Sequence, residues 1–189
     1  MQEELLVSSF GVVLDACVLV PASLRDTLLR AAEQGMYRLH WSELILEEVS
    51  RNLVKRDMTS FEDAQDLIDE MRQFFAEAMV RNFETLIPCM TNDEKDRHVL
   101  AVAVMSRSQV IVTSNIQDFP DTALDPFGIE AQTPDKFLTH IFDLYPKRLV
   151  KILTEQAQDL VAPPMSVQEV LEDLTLHAPE FVSIISSSF

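Results

Sequence analysis

Two stretches of the chain are almost continuously apolar, Phe10-Gly11-Val12-Val13-Leu14 and Val110-Ile111-Val112. Short runs of this kind fit strands buried on both faces, as in a parallel sheet. Elsewhere the apolar positions recur at helical spacing. Pro21 fits the first turn of a helix. Leu24, Leu28, Leu29 and Ala32 carry that helix to Gly35, a C-terminal stop. Tyr37 to Trp41 reads as a second strand or an extended entry. Ser42 is an N-cap for a helix to about Lys55, with Leu44, Ile45, Leu46, Val49 and Leu53 on its apolar face. On that helix Glu47 points into solvent and Glu48 lies on the flank of the apolar face. Ser60 opens a Ser-x-x-Asp pattern and a helix to about Val80, with Leu67, Ile68, Met71, Phe74, Phe75 and Met79 as core or interface positions. Phe83 to Ile87 reads as a short strand closed by Pro88.

The segment from Asn92 to Phe119 organises the rest. An acidic cluster, Asp93-Glu94-Lys95-Asp96, leads into Val99–Met105, which is apolar on all sides and so belongs to a buried helix. Asp93 and Asp96 share a side if the helix starts there. Acids in a first turn also favour the helix dipole, and Asp93 is the better capping candidate. The strand Gln109–Val112 follows and ends in a polar loop, Thr113, Ser114, Asn115 and Asp118. Ile129–Ala131 is expected as an edge strand. Beyond it, prolines punctuate four short helical segments, near 135–144, 146–160, 166–176 and 181–185. This divides the chain into an α/β domain, 1–134, and a helical extension, 135–189, with Ala162-Pro163-Pro164 as a candidate hinge.

Charge alters this picture. The net charge is −16, and no basic tail exists. Residues 1–134 hold eleven basic and twenty-three acidic groups, and residues 135–189 hold four and eight. That balance argues against broad nonspecific nucleic-acid binding. It fits acids gathered in a cleft for divalent cations, a basic protein partner, or solubility alone. The three glycines, at 11, 35 and 128, exclude a P-loop and a dinucleotide fingerprint. Cys17 and Cys89 form no CxxC pair, so a reducing cytoplasm is expected. No apolar run approaches the ~18–20 residues that span a bilayer. Met1-Gln2-Glu3-Glu4 lacks the basic start of a signal peptide. His40, His98, His140 and His177 are scattered and read as structural or surface residues. Trp41 reads as core.

The candidate chemistry lies at element ends. Asp15 follows the first strand, Glu48 flanks a helix, Asp96 opens a buried helix, and Asn115 and Asp118 follow a late strand. Carboxylates that hold one or two Mg²⁺ or Mn²⁺ ions can activate water and neutralise a leaving oxygen, which is what phosphodiester hydrolysis needs. A haloacid-dehalogenase phosphatase wants a second Asp two residues after the first, where Cys17 stands. A receiver domain wants an acidic pair and a late lysine, and both are missing.

The order of these residues resembles the PIN-domain family. The matching pieces are Val12-Val13-Leu14-Asp15, Ser42 through Glu48-Val49, Asp96 with Ala101 and Ala103, and Val112-Thr113 with Asn115, Asp118 and Phe119. The resemblance implies a three-layer α/β/α fold around a parallel sheet and Mg²⁺- or Mn²⁺-dependent ribonuclease activity. Within the family the chain looks like the VapC-like toxins of toxin–antitoxin pairs, so an antitoxin partner is implied; whether the helical extension covers the site, binds the antitoxin or forms a homodimer stays open. An RNA-processing nuclease without an antitoxin and a silent scaffold are the alternatives. Asp15, Glu48, Asp96 and Asp118 are the expected metal and catalytic residues. Thr113 and Asn115 would position the loop or the substrate. Arg25, Arg97, Lys95 and Arg51 are candidate phosphate contacts. Asn115 departs from branches of the family that carry an acid there, which leaves open whether Asn115 or Asp118 completes the site.

Overall fold

Four parallel strands form the sheet, in the order β2-β1-β3-β4. These are β1 (Gly11–Leu14), β2 (Arg38–His40), β3 (Val110–Val112) and β4 (Glu130–Gln132). The computed structural model describes residues 10–189, so the acidic start Met1–Glu4 lies outside the described residues. The central strand β1 pairs Val12 with Leu39 on one side and with Val110 on the other. All four of its residues are buried. Gly11 is required by close approach, because a Cβ there would sit 3.0 Å from Ser108 Oγ.

Helices cover the sheet, giving the three-layer α/β/α arrangement. They are α1 (Ala16–Leu19), α2 (Ala22–Glu33), α3 (Glu43–Lys55), α4 (Phe61–Phe74), α5 (Arg97–Ser106) and α6 (Asp121–Leu124). The extension adds α7 (Pro134–Leu144), α8 (Pro146–Asp159), α9 (Val167–Thr175) and α10 (Pro179–Ile185). Helix α5 lies against β1, β2 and β3. Its residues Val99 to Ala103 have no exposed surface, as expected for a helix apolar on all sides. Ser42, Ser60 and Thr133 cap α3, α4 and α7, each accepting a backbone N–H from three residues on.

The extension is built onto the sheet domain rather than beside it. Helices α8 and α9 pack on α2, and α10 packs on α7. Buried Gln156 of α8 accepts from Thr27 Oγ1 at 2.8 Å and donates to the Ser23 carbonyl at 3.0 Å. Asp135 accepts the backbone N–H groups of Glu180 and Phe181 and so caps α10. Val12 and Ile185 belong to one continuous apolar core.

The structure differs from the sequence expectations in three places. Phe83–Ile87 is not a strand. Residues Glu84–Cys89 form a 3₁₀ helix. Burial falls on Phe83, then partly on Leu86 and Ile87, then on Met90, which is a helical spacing. The helix from Ser60 stops at Phe74, not near Val80. There Trp41 donates to the Ala78 carbonyl and Val80 donates to the Trp41 carbonyl, so pairing beside β2 overrides helix continuation. Phe74 consequently remains 64% exposed, while Phe75 meets the Trp41 ring edge-on at 5.8 Å. On α3, Leu44 is 41% exposed. At about 100° per residue it lies far from the centre set by Ile45, Val49 and Leu53.

Candidate active site

The strand order places β1 and β3 side by side, although β2 lies between them in the chain. The crevice beyond the carboxyl ends of such a pair is where ligands bind in open α/β sheets. Leu14 is level with Val112. The next residues, Asp15 and Thr113, therefore emerge together. Asp15 donates its backbone N–H to the Val112 carbonyl at 3.1 Å. Its side chain does not cap α1. Instead Asp15 Oδ2 accepts from Thr113 Oγ1 at 2.8 Å and from the Cys17 thiol at 3.1 Å. Asp15 is 3% exposed, yet Oδ1 accepts no hydrogen bond among the described residues. A buried carboxylate held by two donors on one oxygen keeps the other available.

The second strand end is tied to the segment before α5. The Asp93 backbone N–H donates to the Asp118 carbonyl at 3.1 Å. Asp93 Oδ1 accepts the Lys95 N–H at 3.1 Å, while Asp96 makes no capping bond. Asp96 is half-buried at the base of α5. Its carboxyl is pushed up to about 7, first by desolvation and then by the charges of Asp15, Asp118, Glu48 and Asp93. The same charges locate the group: Asp15, Glu48 and Asp118 lie near enough to Asp96 to oppose its ionisation. The loop after β3 is shaped by the Asn115 N–H, which donates to Thr113 Oγ1 at 3.0 Å. The Asn115 side chain is exposed.

Glu48 comes from the flank of α3. Across from it lies His98 Nε2, 3.7 Å from Glu48 Oε2. His98 Nδ1 faces the Lys95 carbonyl at 2.9 Å, so that nitrogen carries the proton. His98 and Cys17 are the two neighbours of the carboxylates that sequence reasoning missed. Their signal was spacing, since each lies two residues after a site Asp. The Cys17 thiol also accepts the Ser114 N–H at 3.2 Å. Burial and the Asp15 charge push it up to about 12.

The expected phosphate contacts are placed less uniformly. Arg25 donates to the Leu19 and Val20 carbonyls and braces the turn between α1 and α2. It lines a largely apolar cavity of about 960 Å³ between α2, α4 and the α8–α9 region, which none of the four carboxylates borders. Arg97 Nε donates to the Asn92 carbonyl at 3.4 Å. Lys95 and Arg51 are exposed.

The donor chemistry suits a hard divalent cation: four carboxylates whose mutual repulsion a cation would relieve. Their side chains are not drawn in around one point, however. Among the described residues no three His, Cys, Asp or Glu groups are close enough to hold an ion.

Comparison with known proteins gives the family. The chain matches the PIN domain over residues 11–117 and the VapC50 C-terminal domain over residues 134–187. It is 39% identical over 106 residues to the "Putative ribonuclease VapC50" of Mycobacterium tuberculosis (strain ATCC 25618 / H37Rv). That alignment covers 56% of this chain and 63% of the relative. No solved structure matches significantly. With its sheet order, its strand-end acids and a PIN match that spans more than half its length, the chain belongs to the PIN-domain family.

Proposed function

We propose that this protein is a Mg²⁺- or Mn²⁺-dependent endoribonuclease that acts as the toxin of a toxin–antitoxin pair in the cytoplasm. The observation that carries the reading is the gathering of Asp15, Glu48, Asp96 and Asp118 at the crevice between β1 and β3, with Asp96 held well above its usual carboxyl range. A desolvated carboxyl beside three other acids is a charge that a bound cation would offset. The name of the relative from Mycobacterium tuberculosis supports ribonuclease chemistry and a place among the VapC toxins. Free Cys17 and Cys89 suit a reducing compartment, and no described helix is long and apolar enough to cross a membrane.

A divalent cation held by the four carboxylates would stabilise charge on the phosphate oxygens and lower the pKa of the attacking water. The chain's own residues set the stage. Asp15 is fixed by the Thr113 hydroxyl and the Cys17 thiol, so its free oxygen has one orientation. Asp96 is mounted on α5, whose following five residues are wholly buried, a rigid support for a ligand. Asn115 and Ser114 form the exposed lip over which the RNA backbone passes. In the reaction a water oxygen bonds to phosphorus, the bond to the leaving oxygen breaks, and the leaving oxygen gains a proton.

The test is cleavage of single-stranded RNA with Mg²⁺ or Mn²⁺, its loss in EDTA, and growth arrest on expression that a neighbouring gene relieves. Cleavage that persists in EDTA would sink the metal assignment. Cleavage without growth arrest would leave an RNA-processing nuclease.

A further inference from the structure

The α3–α4 hairpin carries a feature that the four carboxylates do not use. At about 100° per residue, Lys55 lies roughly 20° in azimuth from Glu48 and two turns further along α3. Arg51 lies roughly 60° away on the same side. Beyond them, further round the helix, opens a groove of about 510 Å³ lined by Glu47, Arg51, Val54, Lys55, Phe61 and Gln65. Arg51 and Lys55 therefore form a ridge between the carboxylate crevice and this groove.

The groove sets cations beside an aromatic ring. Of the fifteen lysines and arginines of the chain, seven are occupied. Arg30, Arg72, Lys136 and Lys151 pair with acids, and Arg25, Arg97 and Arg148 donate to backbone carbonyls. Among the described residues Arg51, Lys55 and neighbouring Arg56 have no acidic partner at ion-pair distance. A helix C-terminus attracts cations through its dipole, which accounts for Lys55 and Arg56 but not for Arg51 in mid-helix. Phe61 is 68% exposed at the start of α4. Gln65 donates to Ser50 Oγ at 2.7 Å, and its amide oxygen accepts nothing among the described residues. An aromatic face beside unpaired cations is how proteins hold single-stranded nucleic acid: bases stack on the ring and phosphates meet the cations.

We propose that the α3–α4 groove is a second RNA subsite. The Phe61 ring stacks a base outside the cleaved bond, Arg51 and Lys55 hold the phosphates between that base and the crevice, and the Gln65 amide oxygen accepts from the base edge. The proposal rests on the ribonuclease reading. It also gives so acidic a protein one local cationic path for RNA beside an exposed aromatic ring.

The experiment is fluorescence anisotropy with a labelled single-stranded RNA of about a dozen nucleotides in EDTA, alongside cleavage of the same RNA with Mg²⁺. Phe61→Ala should raise Kd by about ten-fold. Arg51→Glu with Lys55→Glu should raise it further and flatten the slope of log K against log salt by about 1.4, the contribution of two phosphates on a single strand. Lys147→Glu, a charge reversal on the exposed start of α8, should leave Kd in place. In cleavage the loss should appear in KM rather than kcat. Unchanged Kd in the Phe61 and Arg51/Lys55 variants overturns the subsite, as does equal weakening by Lys147→Glu. Cleavage with unchanged Kd would remove the subsite and keep the nuclease. Phe61-dependent binding without cleavage by the wild type would do the reverse.

Discussion

In the helical cover formed by α7 to α10, polar side chains that enter the core find partners, apart from Thr139 Oγ1. Gln156 is fully buried and bonds both Thr27 and Ser23. Ser166 and Glu169 close a reciprocal capping box on α9, and Asp135 caps α10. In the crevice between β1 and β3 the opposite holds. Asp96 is pushed up to about 7, first by desolvation and then by the charges of Asp15, Asp118 and Glu48. The cover is arranged for stability, since each satisfied buried group avoids a desolvation penalty of about 1–3 kcal/mol. The crevice carries a cost that only a ligand removes. Variants of the two regions should therefore separate, with loss of activity at no cost in stability on one side and loss of stability on the other.

The sharpest separation is expected at Asp15→Asn. Amide for carboxylate keeps size and can still accept from Thr113 and Cys17. RNA cleavage should fall about a thousand-fold or more, while the thermal midpoint without metal stays level or rises. A variant that unfolds would show that the crevice is structural, and full activity would remove Asp15 from the chemistry. Next in size is Phe181→Ala on α10. Phe181 is fully buried and packs tilted against Phe142 at 6.3 Å. Truncating such a ring costs about 3–5 kcal/mol. Denaturant unfolding should show that loss as a single transition, because the extension shares one core with the sheet. Two separate transitions would mean that the extension folds as an independent unit.

Much of this comparison is visible in the sequence because it rests on local rules. The buried strands at Gly11–Leu14 and Val110–Val112, the caps at Ser42, Ser60 and Thr133, and the all-apolar α5 follow from periodicity and capping chemistry. What the sequence conceals is set by tertiary partners. The end of α4 at Phe74 depends on the pairing of Trp41 with residues 78–80, some forty positions away along the chain. The bracing role of Arg25 depends on which carbonyls the α1–α2 turn presents. His98 looked like a surface residue because nothing local reveals that α3 brings Glu48 to within 3.7 Å of it. The crevice is easier to read than its surroundings, since acids at element ends are conspicuous in a sequence and their neighbours are not.

A smaller effect links the crevice to pH. Asp96 in the fold titrates near 7 rather than near 3.8. A proton therefore binds the folded state more tightly. The stabilisation from that proton is complete below about 3.8 and is lost as pH rises through about 7. Metal-free protein should thus melt at a higher temperature at pH 5.5 than at pH 8, by a modest amount because Asp96 is only half-buried. Mg²⁺ or Mn²⁺ should restore the midpoint at pH 8 by binding only the folded state, and Asp96→Asn should abolish both effects. A wild-type midpoint that rises steadily from pH 5.5 to 8 without metal would contradict the crowding of carboxylates.

The smallest expected effect concerns the floor of the crevice, where the two regions ought to look alike. Cys17 lies beside Asp15, bonded to it and to Ser114, and its thiol is pushed up to about 12. Burial is the leading cause and the Asp15 charge the second. A thiol reacts as its thiolate, so at pH 8 Cys17 should be alkylated far more slowly than exposed Cys89. Asp15→Asn removes the charge and leaves the burial, so the rate at Cys17 should rise only slightly. A large rise would mean that repulsion rather than dryness protects the thiol, and that the crevice is wet to its base. A small one would place the carboxylates on a floor as dry as the helical cover, where each uncompensated charge costs most and a cation has most to offset.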